Sequence, residues 1–277
     1  MKKIIALLLI FTLAFGLYGC SGGNTSNENT NQNDNISQNE NVKTNEDPIE
    51  LTISAAASLT EAYNELKEIY ELEKGVKLTF NYAASGPLQK QIEEGAEVDV
   101  FVSAGQKQMN ELEEKDLILK DTREDIYRNE LVLITPEEYK DEIKSIKDIV
   151  GTDLKLALGV PETVPVGQYS KDALEYLGIW DKLEPNIVFA KDVSQVLAYV
   201  EKGEVAGGMV YSSDAVRAKQ SYLAETFAEE THRPIVYPAA VVASTKNKEA
   251  ASEFLKYLRT DKAKEILEKY GFKIYEK

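Results

Sequence analysis

The sequence predicts an α/β protein built as two lobes around a cleft, and three observations lead there. From Leu51 onward, short apolar runs alternate with stretches of helical periodicity, the pattern of strands joined by helices in a largely parallel sheet. After ELVLIT (Glu130 to Thr135) the alternation starts again. Two strand-like stretches, near Asn129 to Thr135 and near Arg233 to Pro238, stand where the chain would cross between the two sets and form a hinge.

In the first set, Leu51 to Ala55 reads as a strand. Leu59 to Glu73 reads as a helix, because Leu59, Ala62, Tyr63, Leu66, Ile69 and Tyr70 recur at helical spacing. Val76 to Tyr82 is a strand and Pro87 to Glu94 a helix, with proline suited to a first turn where its missing N–H would be unpaired anyway. Val98 to Ser103 (strand) and Gln106 to Lys115 (helix) complete the set. The second reads Leu154 to Leu158 strand, Val166 to Leu177 helix, Asn186 to Ala190 strand, Val193 to Lys202 helix, Ala206 to Tyr211 strand and Ser213 to Lys219 helix. The tail holds a strand, Ile235 to Ser244, and helices over Lys248 to Arg259 and Asp261 to Tyr270. In open α/β sheets ligands bind beyond the carboxyl ends of strands, beside the helix starts that follow.

Two serines stand at such junctions: Ser58 in ISAAASLTEAYNEL and Ser85 in NYAASGPLQKQI. Ser58 and Glu61 have the S-x-x-E spacing of a capping box. As ordinary caps, each serine is worth about 1 kcal/mol. Read together, two hydroxyls and two sets of free helix amides aimed at one spot make an anion site without a positive charge.

Lys2 and Lys3 followed by an apolar run from Ile4 to Leu17 read as a signal peptide (1–19), since the run is shorter than the roughly 20 residues of a membrane span. Leu17-Tyr18-Gly19-Cys20 resembles a bacterial lipobox, with Tyr18 where a small residue is usual, so Cys20 is the expected lipidation site. Cys20 is the chain's only cysteine, which excludes an intramolecular disulfide. Residues 21–48 are almost wholly polar and read as a flexible tether. The expected product is a monomer anchored by lipid outside the cytoplasm, as Gram-positive cells hold proteins at their surface. Lobe I is expected over 49–131 and 236–277, and lobe II over 132–235. The formal net charge of −15 at pH 7 argues against nucleic acid or an anionic lipid surface as partner.

The second set repeats the chemistry of the first. VPETVPVGQYSKDAL places Val166 at a helix start, KDVSQVLAYVEKGE places Val193 at another, and GGMVYSSDAV ends a strand on Tyr211. With AAASLTEA and NYAASGPLQKQIEEGAEVDVFVSA, these segments resemble the molybdate-binding proteins of bacterial molybdate ABC importers over most of Glu50 to Lys277. The resemblance implies a two-lobed type II periplasmic-binding-protein fold closing on molybdate or tungstate, no cofactor, and the importer's permease and ATPase as partners. It implies a hydroxyl and amide from Ser58, a hydroxyl from Ser85, amides from Val166 and Val193 and the Tyr211 hydroxyl as ligands. Molybdenum would enter only as the oxyanion. Val166 stands where alanine is common in relatives, a change that a backbone donor tolerates. Asp99 and Asp214 are expected to brace the fold or cap helices. Molybdate is fully deprotonated at neutral pH, whereas phosphate keeps a proton that an all-donor site leaves unpaired, at a cost of about 1–3 kcal/mol.

Other readings fit less of the chain. An enzyme would need a base beside a serine, and the single histidine, His232, lies near the expected hinge. Adjacent acids such as Glu93 with Glu94, Glu113 with Glu114 and Glu229 with Glu230 do not face each other and read as solvated surface. A cation-binding protein would need clustered ligands, but Tyr127, Tyr169, Tyr199, Tyr222 and Tyr237 are spread over expected core positions, and Trp180 reads as a plug between loop and helix. A sulfate- or thiosulfate-binding relative of the same fold is the nearest alternative.

Overall fold

A computed structural model describes residues 49–276. The expected signal peptide, Cys20 and the tether lie outside them. Two sheets carry the fold. The first has the order β11-β4-β10-β3-β1-β2 and the second β7-β6-β8-β5-β9, where the strands are β1 (Glu50–Ala56), β2 (Lys77–Ala83), β3 (Val100–Val102), β4 (Glu124–Arg128), β5 (Leu131–Pro136), β6 (Leu156–Gly159), β7 (Ile187–Ala190), β8 (Gly207–Tyr211), β9 (Ser221–Thr226), β10 (Val236–Val241) and β11 (Lys273–Ile274). The helices are α1 (Thr60–Lys74), α2 (Ser85–Glu93), α3 (Gln106–Glu114), α4 (Pro165–Tyr176), α5 (Trp180–Leu183), α6 (Val193–Glu201), α7 (Ser212–Arg217), α8 (Lys248–Tyr257) and α9 (Asp261–Lys269).

Each sheet has a parallel heart: β2-β1-β3 in the first and β7-β6-β8 in the second. The remaining strands pair antiparallel, which corrects the expectation of largely parallel sheets. The reason lies in β4, β9 and β11, which the sequence pattern does not mark. The first is mostly charged (EDIYR), the second is an edge strand with exposed side chains, and the third is two residues long.

Helices cover both faces of the first sheet. Tyr70 of α1 meets Phe254 and Tyr257 of α8 edge-on, at ring-centroid distances of 5.2 and 4.9 Å. On the other face Leu88 and Ile92 of α2 pack with Met109 and Leu112 of α3 against Phe101 and Ala240. The apolar i, i+3, i+4 spacing of these helices is what turns one stripe of each toward a sheet. Glycine allows the closest approach in the second lobe, where a Cβ on Gly167 would lie 2.0 Å from the Gly159 carbonyl oxygen.

The chain passes between the sheets twice, through Asn129 and Glu130 and through the segment from Phe227 to Ile235. The two crossings are tied together by the Asn129 N–H donating to the Ile235 carbonyl at 3.2 Å. Among the described residues no helix is long and apolar enough to cross a membrane.

Candidate functional site

All six parallel strands end at one place. Past β1 comes a 3-10 turn, Ala57–Leu59, that contains Ser58 and leads into α1. Past β2 comes Ser85 at the first position of α2, and past β3 comes Ala104. From the second sheet, β6 leads to Val166 in the first turn of α4, β7 to Val193 at the start of α6, and β8 ends on Tyr211. These residues line a small cavity of about 10 Å³, completed by Ala56, Ala57, Ala83, Ala84, Val164 and Pro165. Drug-sized ligands occupy pockets of roughly 300–1,000 Å³, far more than this one offers.

The structure thus brings together Ser58, Ser85, Val166, Val193 and Tyr211, all of them buried. No charged side chain lines the cavity among the described residues. What faces it instead are hydroxyls and helix N-termini, each behaving as about half a positive charge with unpaired N–H groups. Tyr211 is the sharpest feature: its hydroxyl is buried and has no hydrogen-bond partner among the described residues. Burial pushes that phenol well above the ordinary tyrosine range, so it stays protonated and able to donate.

The capping expectation is corrected at both serines. Leu59 and Ala84 occupy the cap positions, and neither helix has a side-chain cap. Glu61 does not reach back to Ser58 because its carboxylate is held by Arg217, with Nη1 donating to Oε1 at 2.8 Å. The Ser58 hydroxyl lies 3.0 Å from the Tyr237 hydroxyl, and Ser85 Oγ accepts the Ala104 N–H at 3.0 Å. Ala104, Asn129 and Tyr237 are not among the site residues the sequence points to; it places Asn129 at the hinge and Tyr237 in the core. Ala104 could have been among them, since it follows a parallel strand as the other lining residues do.

Arg217 donates to Ser194 Oγ of α6 at 3.2 Å, and Asp214 (2.6 Å) and Glu61 neutralise it. Asp214 also accepts the Tyr211 N–H at 3.2 Å, which gives it the helix-bracing role expected. Asp99 is likewise structural. Its carboxylate accepts from the Thr52 N–H at 2.7 Å, from Asn247 Nδ2 at 3.3 Å and from the Thr245 hydroxyl. The open groove beside it, about 360 Å³, contains none of the predicted site residues.

His232 packs on Tyr169 and bonds the Arg233 carbonyl, and among the described residues no serine hydroxyl is hydrogen-bonded to its ring. Tyr222, expected in the core, is 43% exposed on β9. Trp180 is buried at the start of α5, with Lys171 over its ring.

Two α/β lobes whose parallel strands all end at one small, donor-lined cavity have the architecture of a solute-binding protein. Residues 51–273 match the family of bacterial extracellular solute-binding proteins, and the chain belongs to that family. It is 40% identical over 273 residues, 98% of each chain, to YvgL of Bacillus subtilis, provisionally named an ABC transporter substrate-binding lipoprotein. It is 40% identical over 230 residues to the molybdate-binding protein ModA of Haemophilus influenzae, covering 80% of this chain and 89% of that protein. Among solved structures, the substrate-binding domain of a provisionally assigned molybdenum ABC transporter from Clostridium difficile is 44% identical. That likeness covers 82% of this chain and 100% of that one, with a TM-score of 0.65.

Proposed function

We propose that this protein captures molybdate, and tungstate, outside the cytoplasm and delivers it to the permease and ATPase of an ABC importer. The observation that carries the reading is the cavity itself. Among the described residues it offers donors and no charged side chain, and the buried Tyr211 hydroxyl has no hydrogen-bond partner. A buried donor left unpaired costs about 1–3 kcal/mol, and a tetrahedral dianion removes that cost. Ser58 and Ser85 would supply hydroxyls, Val166 and Val193 amides and Tyr211 its phenol, with the helix N-termini offsetting the double charge. The names of the relatives from Haemophilus influenzae and Clostridium difficile support molybdenum oxyanions as the cargo. A cation would find no carboxylate or imidazole among the lining residues.

The two sheets support lobes over 49–131 with 236–277, and over 132–235, closing about the paired crossings. The likeness to YvgL, named a lipoprotein, extends over almost the whole chain and supports lipidation of Cys20, with residues 21–48 as the tether. The test is calorimetry with molybdate, tungstate, sulfate and phosphate, paired with thermal unfolding. Molybdate at about 100 times its dissociation constant should raise the unfolding free energy by about 2.7 kcal/mol, with no effect of phosphate. Absence of any shift with molybdate and tungstate would refute the assignment.

A further inference from the structure

Both serines of the cavity are held from behind by a scaffold group, and the direction of each bond decides what the serine can offer a ligand. Ser85 is simple. Its oxygen accepts the Ala104 N–H, so its own proton is not consumed by that bond. Ser58 and Tyr237 are two hydroxyls 3.0 Å apart, and either could donate.

Asn129 resolves the choice. Its Oδ1 receives the backbone N–H groups of Glu130 at 2.9 Å and Ser213 at 3.4 Å, together with the Ser212 hydroxyl at 2.8 Å. Backbone N–H groups only donate, so this atom is the amide oxygen and Nδ2 must face the other way. Nδ2 donates to Ser213 Oγ at 2.9 Å and to the Tyr237 hydroxyl at 3.4 Å. Tyr237 therefore has an incoming donor, and among the described residues Ser58 Oγ is the one other group within hydrogen-bond geometry of its hydroxyl, the neighbouring Tyr211 hydroxyl lying outside it. Were Ser58 the donor, the proton of a fully buried tyrosine would be left unpaired, at a cost that disfavours the arrangement. With Tyr237 donating, the single Ser58 proton has no acceptor in the scaffold, and the cavity is where it can be used.

We infer that Tyr237, oriented by Asn129, is a positioning residue that makes Ser58 an obligate donor and so sets the cavity's preference for fully deprotonated oxyanions over those carrying a proton. This rests on the oxyanion reading of the site. It adds two residues outside the cavity lining and ties ligand selectivity to the first crossing between the lobes.

The test compares wild type with Tyr237→Phe, titrated with molybdate and with inorganic phosphate at neutral pH, and melted without ligand. Phenylalanine keeps the ring and frees the Ser58 hydroxyl to rotate and present a lone pair. The expected result is molybdate binding about 3- to 10-fold weaker, from the loss of one fixed hydrogen bond, with measurable phosphate binding that wild type lacks and little change in melting. Asn129→Ala should move the molybdate-to-phosphate ratio in the same direction by a smaller factor, and it carries the test if the tyrosine variant does not fold. An unmoved ratio in both variants overturns the inference. So does a loss for both anions that tracks a fall in melting temperature. Failure of wild type to bind any tetrahedral dianion is a different outcome, and it overturns the oxyanion reading itself.

Discussion

Replacing Gly86 with alanine puts a methyl group into the contact between the two lobes. Gly86, in the first turn of α2, donates its N–H to the carbonyl of Thr163, just before α4, at 3.0 Å. A Cβ on Gly86 would lie 2.3 Å from that oxygen, 2.9 Å from the Thr163 Cα and 3.0 Å from its carbonyl carbon. An ordinary C···O approach is about 3.3 Å, so backbone must yield by roughly 1 Å. Overpacking of this kind costs about 1–3 kcal/mol. If the lobes open and close about the ligand as proposed, these two segments meet in the closed form, so the cost should fall on the ligand-bound state and spare an opened, ligand-free one. The dissociation constant for molybdate should therefore rise roughly 5- to 160-fold, measured by calorimetry, while the ligand-free melting temperature holds. An unchanged dissociation constant, or a ligand-free melting temperature that falls in step with affinity, would refute the reasoning.

Gly167→Ala is the contrasting case, because its Cβ would meet the Gly159 carbonyl oxygen at 2.0 Å within the second lobe. It should destabilise the ligand-free protein by about 1–3 kcal/mol in denaturant titration, and a stable variant would contradict the packing described. Tyr211→Phe removes a buried hydroxyl that has no hydrogen-bond partner among the described residues. Ligand-free stability should stay level or rise while molybdate affinity drops roughly 10- to 150-fold, the worth of a hydrogen bond to a charged group, and losses in both would mean the hydroxyl serves the fold. Ser85→Ala strands the Ala104 N–H, so it should lower ligand-free stability by about 1–3 kcal/mol as well as weaken binding; an effect on binding alone would contradict that bond. Burial holds the phenols of Tyr63, Tyr127, Tyr211 and Tyr237 above the ordinary range in the folded state. In the unfolded chain they titrate near about pH 10, so stability from this source is intact below that pH and declines above it. Tyrosinate absorbance should appear together with unfolding, and ionisation of these residues in still-folded protein would refute it.

Much of the cavity was legible because its parts are local. Small residues, a strand end and a helical run follow one another in sequence at Ser58, Ser85, Val166, Val193 and Tyr211, so each junction can be read alone. What could not be read was the reach of long side chains. Glu61 has the spacing of a capping box, yet Arg217, 156 residues away, claims its carboxylate. Ser58 finds its partner 179 residues away in Tyr237. Short strands were lost for a related reason: β4 and β9 pair with strands that neither neighbours in sequence order alone, and their own side chains are half exposed, so no apolar alternation announces them.

The position of β10 in the first sheet has a consequence for the order in which the molecule assembles. It lies between β3 and β4, with Ala240 opposite Phe101 and Val236 opposite Arg128. Until residues 236–241 are available, that sheet exists as two separate pieces. The second sheet draws only on residues 131–226 and has every strand earlier in synthesis. Pairings of such long sequence separation form slowly. In pulse-labelled hydrogen exchange during refolding, amides of β5 to β8 should gain protection before those of β3, and simultaneous protection would show that the two halves fold as one. The serines of the first lobe would then be the last part of the cavity to take their places, so ligand could join only a finished molecule.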